Sequence, residues 1–353
     1  HGRRLALRSR SPPRQLAPVD VDKLPPGLLC LPTTAPRNLL VEIPFTASDV
    51  AALELTVGLW ERTWPCYRPP LRPSRPHLVF GFNANISEPQ HAAARARVEA
   101  LMARPVLREC FGRVALESAY LSGSDDLYDK RRLDSNWTQG PNNLFYHFLD
   151  SAARGGYAYM AQLEADIVPL RENWLERMQC VAAASRAWVV GSAFLSQCAH
   201  KFVGDAAQCT ELGDEIKFHI NGNALYAAGD GGFDAFWRHA RTSEWRAWPF
   251  DLALHLYAQQ LPAPTQRALL PKFVHDEFIV NYGAEPLADA VPALRERHAD
   301  AYLLHSSWAM RQLRQRGAAG FRQIGLEPLP GFEVAADADA GDAAADGNAD
   351  AGA

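Results

Sequence analysis

Residues 157–166 read Tyr-Ala-Tyr-Met-Ala-Gln-Leu-Glu-Ala-Asp, an apolar run that ends in two carboxylates, Glu164 and Asp166. The tyrosine, methionine and leucine side chains favour a buried strand, and a helix is predicted to follow over Arg171–Met178. In an α/β sheet, ligands bind at the carboxyl ends of the strands, because the loops there open a crevice. Two carboxylates at such an end are hard oxygen ligands for a divalent cation. A short acidic loop that only faces solvent is the alternative.

Strands and helices alternate on both sides of this stretch. The predicted strands are Asn38–Phe45, Pro76–Asn83, Arg113–Tyr120, Ala187–Phe194, His219–Gly229 and Ala301–Trp308. The predicted helices run through Leu53–Leu59, over His91–Met102, Gly140–Leu149 and Phe233–Arg241, and from Trp245 through Tyr257, with a Pro-bearing loop before Ala301. Such alternation predicts an α/β fold with a doubly wound sheet covered by helices on both faces.

Length and composition fit one large α/β domain or two small ones, since the chain has 353 residues and 48% of them are hydrophobic. We predict a flexible Arg/Pro-rich stem at 1–37, a single folded domain at 38–330 and a disordered Ala/Asp/Gly tail at 331–353. The net charge is −4, or +2 without the six acids of the tail. This balance, with no strong basic patch beyond the first arginines, argues against a nucleic-acid partner.

Several features favour the lumen of the secretory pathway. The chain begins at His1, so an upstream targeting or anchor segment is expected to be missing, and membrane attachment is predicted only through it. Asn85–Ser87 and Asn136–Thr138 are glycan acceptor sequences. The six cysteines lack the spacing of a zinc cluster, and Cys198 and Cys209 are predicted to form a disulfide in a luminal protein. A cytoplasmic protein with buried thiols is the alternative.

The order of these motifs resembles that of the GT-A-type glycosyltransferases, which use nucleotide-sugar donors. The resemblance spans roughly Asn38 to Trp308 and departs from the family pattern at Glu164, where the first acid is usually Asp. It rests on Val41–Phe45, Gly140–Asn143, the acid triplet Glu164–Asp166, the strand His219–Tyr226, Trp248–Asp251 and His305. It implies a GT-A-like, Rossmann-type, mostly parallel sheet with a smaller acceptor-side subregion, and makes 38–330 a catalytic domain.

The resemblance also implies a divalent cation, Mn²⁺ or Mg²⁺. Sugar transfer needs the charge of the leaving diphosphate to be neutralised, and a cation held by carboxylates and imidazole does this. Asp166 and His305 are the implied metal ligands. Glu164 is implied to bind the cation directly or through water, or to hold the donor, so both acids are also donor-binding candidates. A core histidine at a strand end is the alternative for His305.

The remaining donor and catalytic candidates lie at other strand ends and helix starts. Pro44 and Phe45 are implied to lie beside the nucleotide base. Asn143 sits at a helix N-terminus, where backbone amides favour anionic groups. Asp251 is the candidate base of an inverting mechanism, or an acceptor anchor in a retaining one. A first-turn helix acid is its alternative.

Four further residues are predicted to bind the acceptor. Trp248 can stack on a sugar face, and His219, Asn221 and Asn223 can hydrogen-bond to acceptor hydroxyls. Core or rim packing remains open for Trp248, and a simple bend remains open for the Asn-Gly-Asn sequence.

The predicted function is therefore metal-dependent transfer of a sugar from a nucleotide-diphosphate donor to a hydroxyl of a glycan or glycoprotein, in the lumen, with the Golgi as the expected compartment. Two alternatives stay open. A metal-dependent hydrolase would use Glu164, Asp166 and His305 to activate water and would add further acids or histidines to that shell. A non-catalytic carbohydrate-binding pseudoenzyme of the same fold would leave the cleft filled or His305 turned away.

Overall fold

The computed structural model describes residues 38–68, 74–128, 138–193, 219–283, 286–287 and 289–329. Within them lie ten β-strands in two sheets and eleven α-helices. The strands are β1 (Leu39–Phe45), β2 (His77–Phe82), β3 (Arg113–Ser118), β4 (Tyr159–Gln162), β5 (Ile167–Pro169), β6 (Val189–Gly191), β7 (Ala224–Tyr226), β8 (Phe273–His275), β9 (Ile279–Asn281) and β10 (Leu303–His305).

The helices connect the strands and flank the sheets. They are α1 (Val50–Arg62), α2 (Ala92–Met102), α3 (Pro105–Cys110), α4 (Gln139–Arg154), α5 (Trp174–Ala184), α6 (Gly231–Thr242), α7 (Phe250–Gln260), α8 (Ala263–Leu269), α9 (Val291–Arg297), α10 (Ser307–Arg316) and α11 (Ala318–Gln323). The segment between Tyr257 and Ala301, which the sequence predicted to be a loop, contains α8, α9, β8 and β9. Its strands have only three residues each, too few to show a periodicity.

The larger sheet has seven strands in the order β3-β2-β1-β4-β7-β6-β8. Four of its six neighbouring pairs are parallel, and β7 runs antiparallel to both β4 and β6. The predicted α/β fold with a mostly parallel, doubly wound sheet is therefore confirmed. None of the described helices is long and apolar enough to cross a membrane.

The smaller sheet has three strands in the order β5-β10-β9. Strand β10 runs antiparallel to β5 and parallel to β9. The stretch 157–166, predicted as one strand, is a strand only up to Gln162, and β5 begins at Ile167 in the other sheet. Glu164 and Asp166 therefore lie in the short connection where the chain passes from one sheet to the other.

Strand β1 lies inside the larger sheet, and its apolar residues are almost completely buried, as expected for a parallel strand covered on both faces. Aromatic rings join the helices around it. Phe145 of α4 stacks on Phe250 of α7 at 3.8 Å between ring centroids, and Tyr146 stacks on Trp237 of α6 at 5.3 Å. These ring contacts pack α4 against α6 and α7.

One disulfide joins Cys66, which follows α1, to Cys110 at the end of α3, and closes a separation of 44 residues. Cys180 is also disulfide-bonded. The predicted Cys198–Cys209 pair lies outside the described residues, as do the predicted stem and tail and the Asn136 sequon. Asn85 of the other sequon is partly exposed, and its side-chain oxygen accepts a hydrogen bond from the Ser87 amide at 3.1 Å.

A carboxylic acid is buried in the middle of β1. Glu42 is 0% exposed, and neither of its carboxyl oxygens has a hydrogen-bond partner among the described residues. Gly81 of β2 leaves the space, since a Cβ there would come within 2.5 Å of both Glu42 Oε1 and the Phe148 ring. Burial, reinforced by the negative charge of Glu164, raises the pKa of the Glu42 carboxyl well above its usual range.

This acid makes the stability of the fold depend on pH. In the unfolded chain a glutamate loses its proton near pH ~4.3, whereas Glu42 in the folded protein keeps it to higher pH. The unfolded state thus binds fewer protons in this range, and the free energy of unfolding falls as the pH rises. Glu42→Gln removes the titration, so we expect it to stabilise the protein at pH 7 by on the order of 1 kcal/mol.

Denaturant unfolding of both proteins at several pH values measures this effect. The two free energies of unfolding should converge below pH ~4, where Glu42 is mostly protonated in both states. A Glu42→Gln protein that gains nothing between pH 4 and pH 7 would show that the folded carboxyl ionises normally.

Candidate functional site

Three side chains that can bind a metal ion meet where the two sheets join. His305 Nε2 lies 3.2 Å from Glu164 Oε2 and 3.5 Å from Asp166 Oδ1. One ligand atom from each of the three residues lies within 4.8 Å of the others. The distant histidine reaches the acids because β10 pairs with β5, which places His305 opposite Ile167, the residue directly after Asp166. The structure therefore brings together the three predicted metal ligands.

The three side chains differ in exposure. The His305 side chain is 7% exposed and that of Asp166 is 17% exposed, whereas the Glu164 side chain is 43% exposed. Burial lowers the pKa of the His305 imidazole, but the charges of Asp166 and Glu164 outweigh this and raise that pKa well above its usual value. The two carboxylates thus favour a positive charge at this place. In chemical type, two carboxylates and one imidazole suit a divalent cation.

The backbone of the acid triplet is held from three directions. The Glu164 amide donates to Asn223 Oδ1 at 2.7 Å, and the Thr56 hydroxyl of α1 donates to the Ala165 carbonyl at 2.6 Å. The Ser306 amide, directly after β10, donates to the Asp166 carbonyl at 3.4 Å. These bonds come from three separate elements, so the positions of the two carboxylates are set by the surrounding fold.

We expect Thr56→Val to disturb this arrangement. The substitution keeps the side-chain shape but leaves the buried Ala165 carbonyl without its hydroxyl donor, which typically costs about 1–3 kcal/mol. Thermal or denaturant unfolding should show this loss, and calorimetric titration with Mn²⁺ should show weaker binding. Thr56→Ser keeps the hydroxyl and should retain most of the cation affinity. Equal Mn²⁺ affinity in both variants would mean that this hydrogen bond does not position the acids.

The predicted donor residues Pro44 and Phe45 close strand β1, at the same edge of the sheet as Glu164. Phe45 is buried and packs on Phe82, with 5.1 Å between ring centroids. The turn after β1 lies near the acids. Burial raises the pKa of the Asp49 carboxyl, and the charge of Asp166 adds to this rise. The carboxyl ends of β1 and β4 therefore face a common region.

Asn143, the other predicted donor residue, is the fifth residue of α4 and so lies about one turn after the helix begins. Its side-chain amide donates to the Asp125 carbonyl at 3.0 Å, and its oxygen accepts from the Arg241 guanidinium at 3.3 Å. The neighbouring Asn142 is buried and ties α4 to the start of α7, since it donates to the Trp248 carbonyl at 2.8 Å and accepts from the Phe250 amide at 2.8 Å.

The predicted acceptor residues on 219–223 are joined to one another and to Asp251. His219 Nε2 lies 3.5 Å from Asp251 Oδ2, which also accepts from the Gly222 amide at 2.9 Å. Asn221 Oδ1 accepts from the backbone amide and the side chain of Asn223 at 3.1 and 3.0 Å. Both asparagines and His219 are buried. Hydrogen bonds therefore link Asp251 to residues 219–223, and these residues to the Glu164 amide. Together they form one hydrogen-bonded block.

Asp251 lies in the first turn of α7, and its Oδ1 accepts from the Leu252 amide at 2.8 Å. It also lines a cavity of about 300 Å³ whose walls are mainly apolar, formed by residues such as Ile220, Leu254, Leu269 and Phe273. Trp248 lies just before α7 and is 37% exposed. Asp251 thus joins the hydrogen-bonded block to an open space beside α7.

Sequence reasoning missed two residues, Thr56 and Asn281, whose side chains contact the three ligands or their backbone. Thr56 lies inside an apolar helix and gives no sequence signal of its own. Asn281 ends the apolar run Phe278–Val280, and its Oδ1 lies 3.1 Å from His305 Nδ1. A polar residue at the end of a short apolar run is the same signal that singled out His305, so Asn281 was accessible to this reasoning.

Comparison with known proteins gives a likeness in fold. No protein-family model matches the chain, and no curated protein matches it in sequence. Solved structures that resemble it include the galactosyltransferase LgtC in complex with donor and acceptor sugar analogues, at 13% identity and a TM-score of 0.39, covering 76% of this chain and 87% of that one. Apo mouse xyloside xylosyltransferase 1 resembles it at 12% identity and a TM-score of 0.45, covering 77% of this chain and 98% of that one.

The bifunctional glycosyltransferase WbbM, in its apo form, also resembles the chain, at 11% identity and a TM-score of 0.43, covering 76% of this chain and 45% of that one. All three of these solved structures are named as glycosyltransferases. Identities this low concern the fold and do not carry an activity from one protein to another.

Proposed function

We propose that this protein is a metal-dependent glycosyltransferase that moves a sugar from a nucleotide-diphosphate donor to a hydroxyl of a glycan or glycoprotein. The observation that carries the proposal is the convergence of Glu164, Asp166 and His305 at the carboxyl end of β4. Open α/β sheets bind their ligands at this edge. Two classes compete with this proposal: a metal-dependent hydrolase, and a non-catalytic pseudoenzyme of the same fold. A pseudoenzyme has no need for a histidine that faces two acids.

The three ligands fit a divalent cation, and they favour Mn²⁺ over Mg²⁺ because one of them is an imidazole. Asp166 and His305 would hold the ion, and Glu164, the most exposed of the three, would bind it or the donor. When bound, the ion supplies Lewis-acid neutralisation of the leaving diphosphate. Pro44, Phe45 and Asn143 are the further residues proposed for the donor.

Asp251 is the proposed group for the acceptor hydroxyl. Two backbone amides, those of Gly222 and Leu252, hold its carboxylate in one orientation, and its side chain faces His219. It would accept the hydroxyl proton in an inverting reaction or anchor the acceptor in a retaining one. The cavity beside it and the partly exposed Trp248 form the proposed acceptor region. His219, Asn221 and Asn223 are the further residues proposed for the acceptor; they are buried and lie behind the cavity lining.

The secretory lumen, with the Golgi as its expected compartment, is the proposed location. The Cys66–Cys110 disulfide and the partly exposed Asn85 sequon support it, because disulfides persist in oxidising compartments and glycans are added there.

The proposal predicts that Asp166→Ala removes most of the activity. The full chain is incubated with a panel of nucleotide sugars, with and without Mn²⁺, and donor hydrolysis is scored along with transfer. Loss of the carboxylate takes one ligand from the centre, so Mn²⁺-dependent turnover should fall at least ~100-fold.

Asp234→Ala is the matched control for this experiment, since Asp234 is an acid on α6 that is paired with Arg238. It should keep the activity of the parent protein. If Asp166→Ala retains full Mn²⁺-dependent turnover, the assignment of the metal centre is wrong.

A further inference from the structure

We infer that Asn281 is a positioning residue that holds the His305 imidazole in the tautomer and orientation needed for metal binding. The inference rests on the metal centre proposed above and concerns a fully buried residue that is not among the proposed donor and acceptor residues. Asn281 and His305 are direct neighbours across the parallel pair β9–β10, and Asn281 Oδ1 lies 3.1 Å from His305 Nδ1.

The orientation of the Asn281 amide is determined by its other contacts. Its Nδ2 lies 3.2 Å from the Ser192 carbonyl oxygen and 2.9 Å from Ser192 Oγ. A carbonyl only accepts hydrogen bonds, so the amide nitrogen must face it and the amide oxygen must face His305. The Ser192 hydroxyl donates to the Ile279 carbonyl at 2.5 Å and therefore accepts from Asn281. The direction of each of these hydrogen bonds, from Ser192 through Asn281 to His305, is thus defined.

This direction determines the state of the imidazole. An oxygen facing Nδ1 requires a proton on Nδ1, so in the neutral ring the lone pair is on Nε2. Nε2 is the atom that faces Glu164 and Asp166, at 3.2 and 3.5 Å. A histidine that binds a metal commonly donates its other N–H to such an acceptor, which orients the ring and raises its basicity.

Burial makes the arrangement strict. Asn281 is 0% exposed, and Ser192 and His305 are also buried. Ser192 follows β6 of the larger sheet, and its carbonyl accepts from the Asn221 amide as well, at 2.9 Å. We call the hydrogen-bonded series Ser192–Asn281–His305 the relay. It connects His305, which belongs to the smaller sheet, to the larger sheet that ends beside the two acids.

The test measures cation affinity and needs no substrate. Mn²⁺ and Mg²⁺ affinities of the full chain are determined by isothermal titration, with electron paramagnetic resonance for Mn²⁺. Asn281→Leu keeps the side-chain size but removes the acceptor of the Nδ1 proton. It should weaken Mn²⁺ binding ~10–100-fold, the usual effect of losing such a partner. Mg²⁺ binding should change by less than ~3-fold, because Mg²⁺ is bound through oxygen. This change of the Mn²⁺/Mg²⁺ ratio separates positioning from general damage.

Two further variants complete the experiment. Asn281→Asp keeps an oxygen acceptor for Nδ1 and should hold Mn²⁺ affinity within ~3-fold of the parent protein, even if it lowers stability. Asn142→Leu removes a buried asparagine elsewhere, on α4, that bonds to the backbone of Trp248 and Phe250, and should leave both cation affinities unchanged.

The outcomes separate the relay from the metal centre. If the parent protein binds Mn²⁺ and Asn281→Leu binds it equally well, or loses Mn²⁺ and Mg²⁺ in the same proportion, the positioning role is wrong and the metal centre stands. If the parent protein binds no Mn²⁺, the proposed metal centre is wrong and the relay with it. Loss of folding in Asn281→Leu leaves Asn281→Asp as the deciding variant: a Mn²⁺ affinity more than ~10-fold below the parent value then contradicts the role of the oxygen acceptor.

Discussion

The pairing of β10 with β5 is the constraint on which the candidate site depends. It places His305 opposite Ile167, one residue after Asp166, and so makes neighbours of groups that lie far apart in the sequence. The acids themselves sit where the chain leaves the larger sheet and enters the smaller one. A site built at such a junction uses both sheets as rigid supports, and neither sheet alone holds the complete set of ligands.

Buried polar groups give this junction its precision. Thr56, Asn223 and Asn281 come from three different parts of the chain, and each makes one hydrogen bond to the backbone of the acid triplet or to His305. An unsatisfied polar group in such a place would be unfavourable, so each partner restricts the positions of the other. The candidate metal ligands are thus oriented by residues that lie outside the proposed ligand set.

The sequence predicted much of the larger sheet because its signals are local. Strands β1, β2 and β3 have six or seven residues each around an apolar stretch, and their predicted ranges agree with the structure to within two residues. The acid triplet and His305 stood out because polar residues ended such runs. The division of 157–166 between two sheets could not be predicted, since it depends on the partner that β5 finds in β10. Thr56 was hidden for the same reason, because its role exists only where α1 meets Ala165.

The three proposed ligands differ in exposure, so the candidate centre has a solvent-facing side and a buried side. Glu164 is the most exposed of the three, and His305 is the most buried. In the proposed metal centre, an ion that enters from water would meet the Glu164 carboxylate first and would have to shed water before it reached the imidazole nitrogen. Mg²⁺ gives up its hydration shell reluctantly. The depth of His305 would therefore disfavour Mg²⁺ at the proposed centre, in addition to any difference in ligand preference.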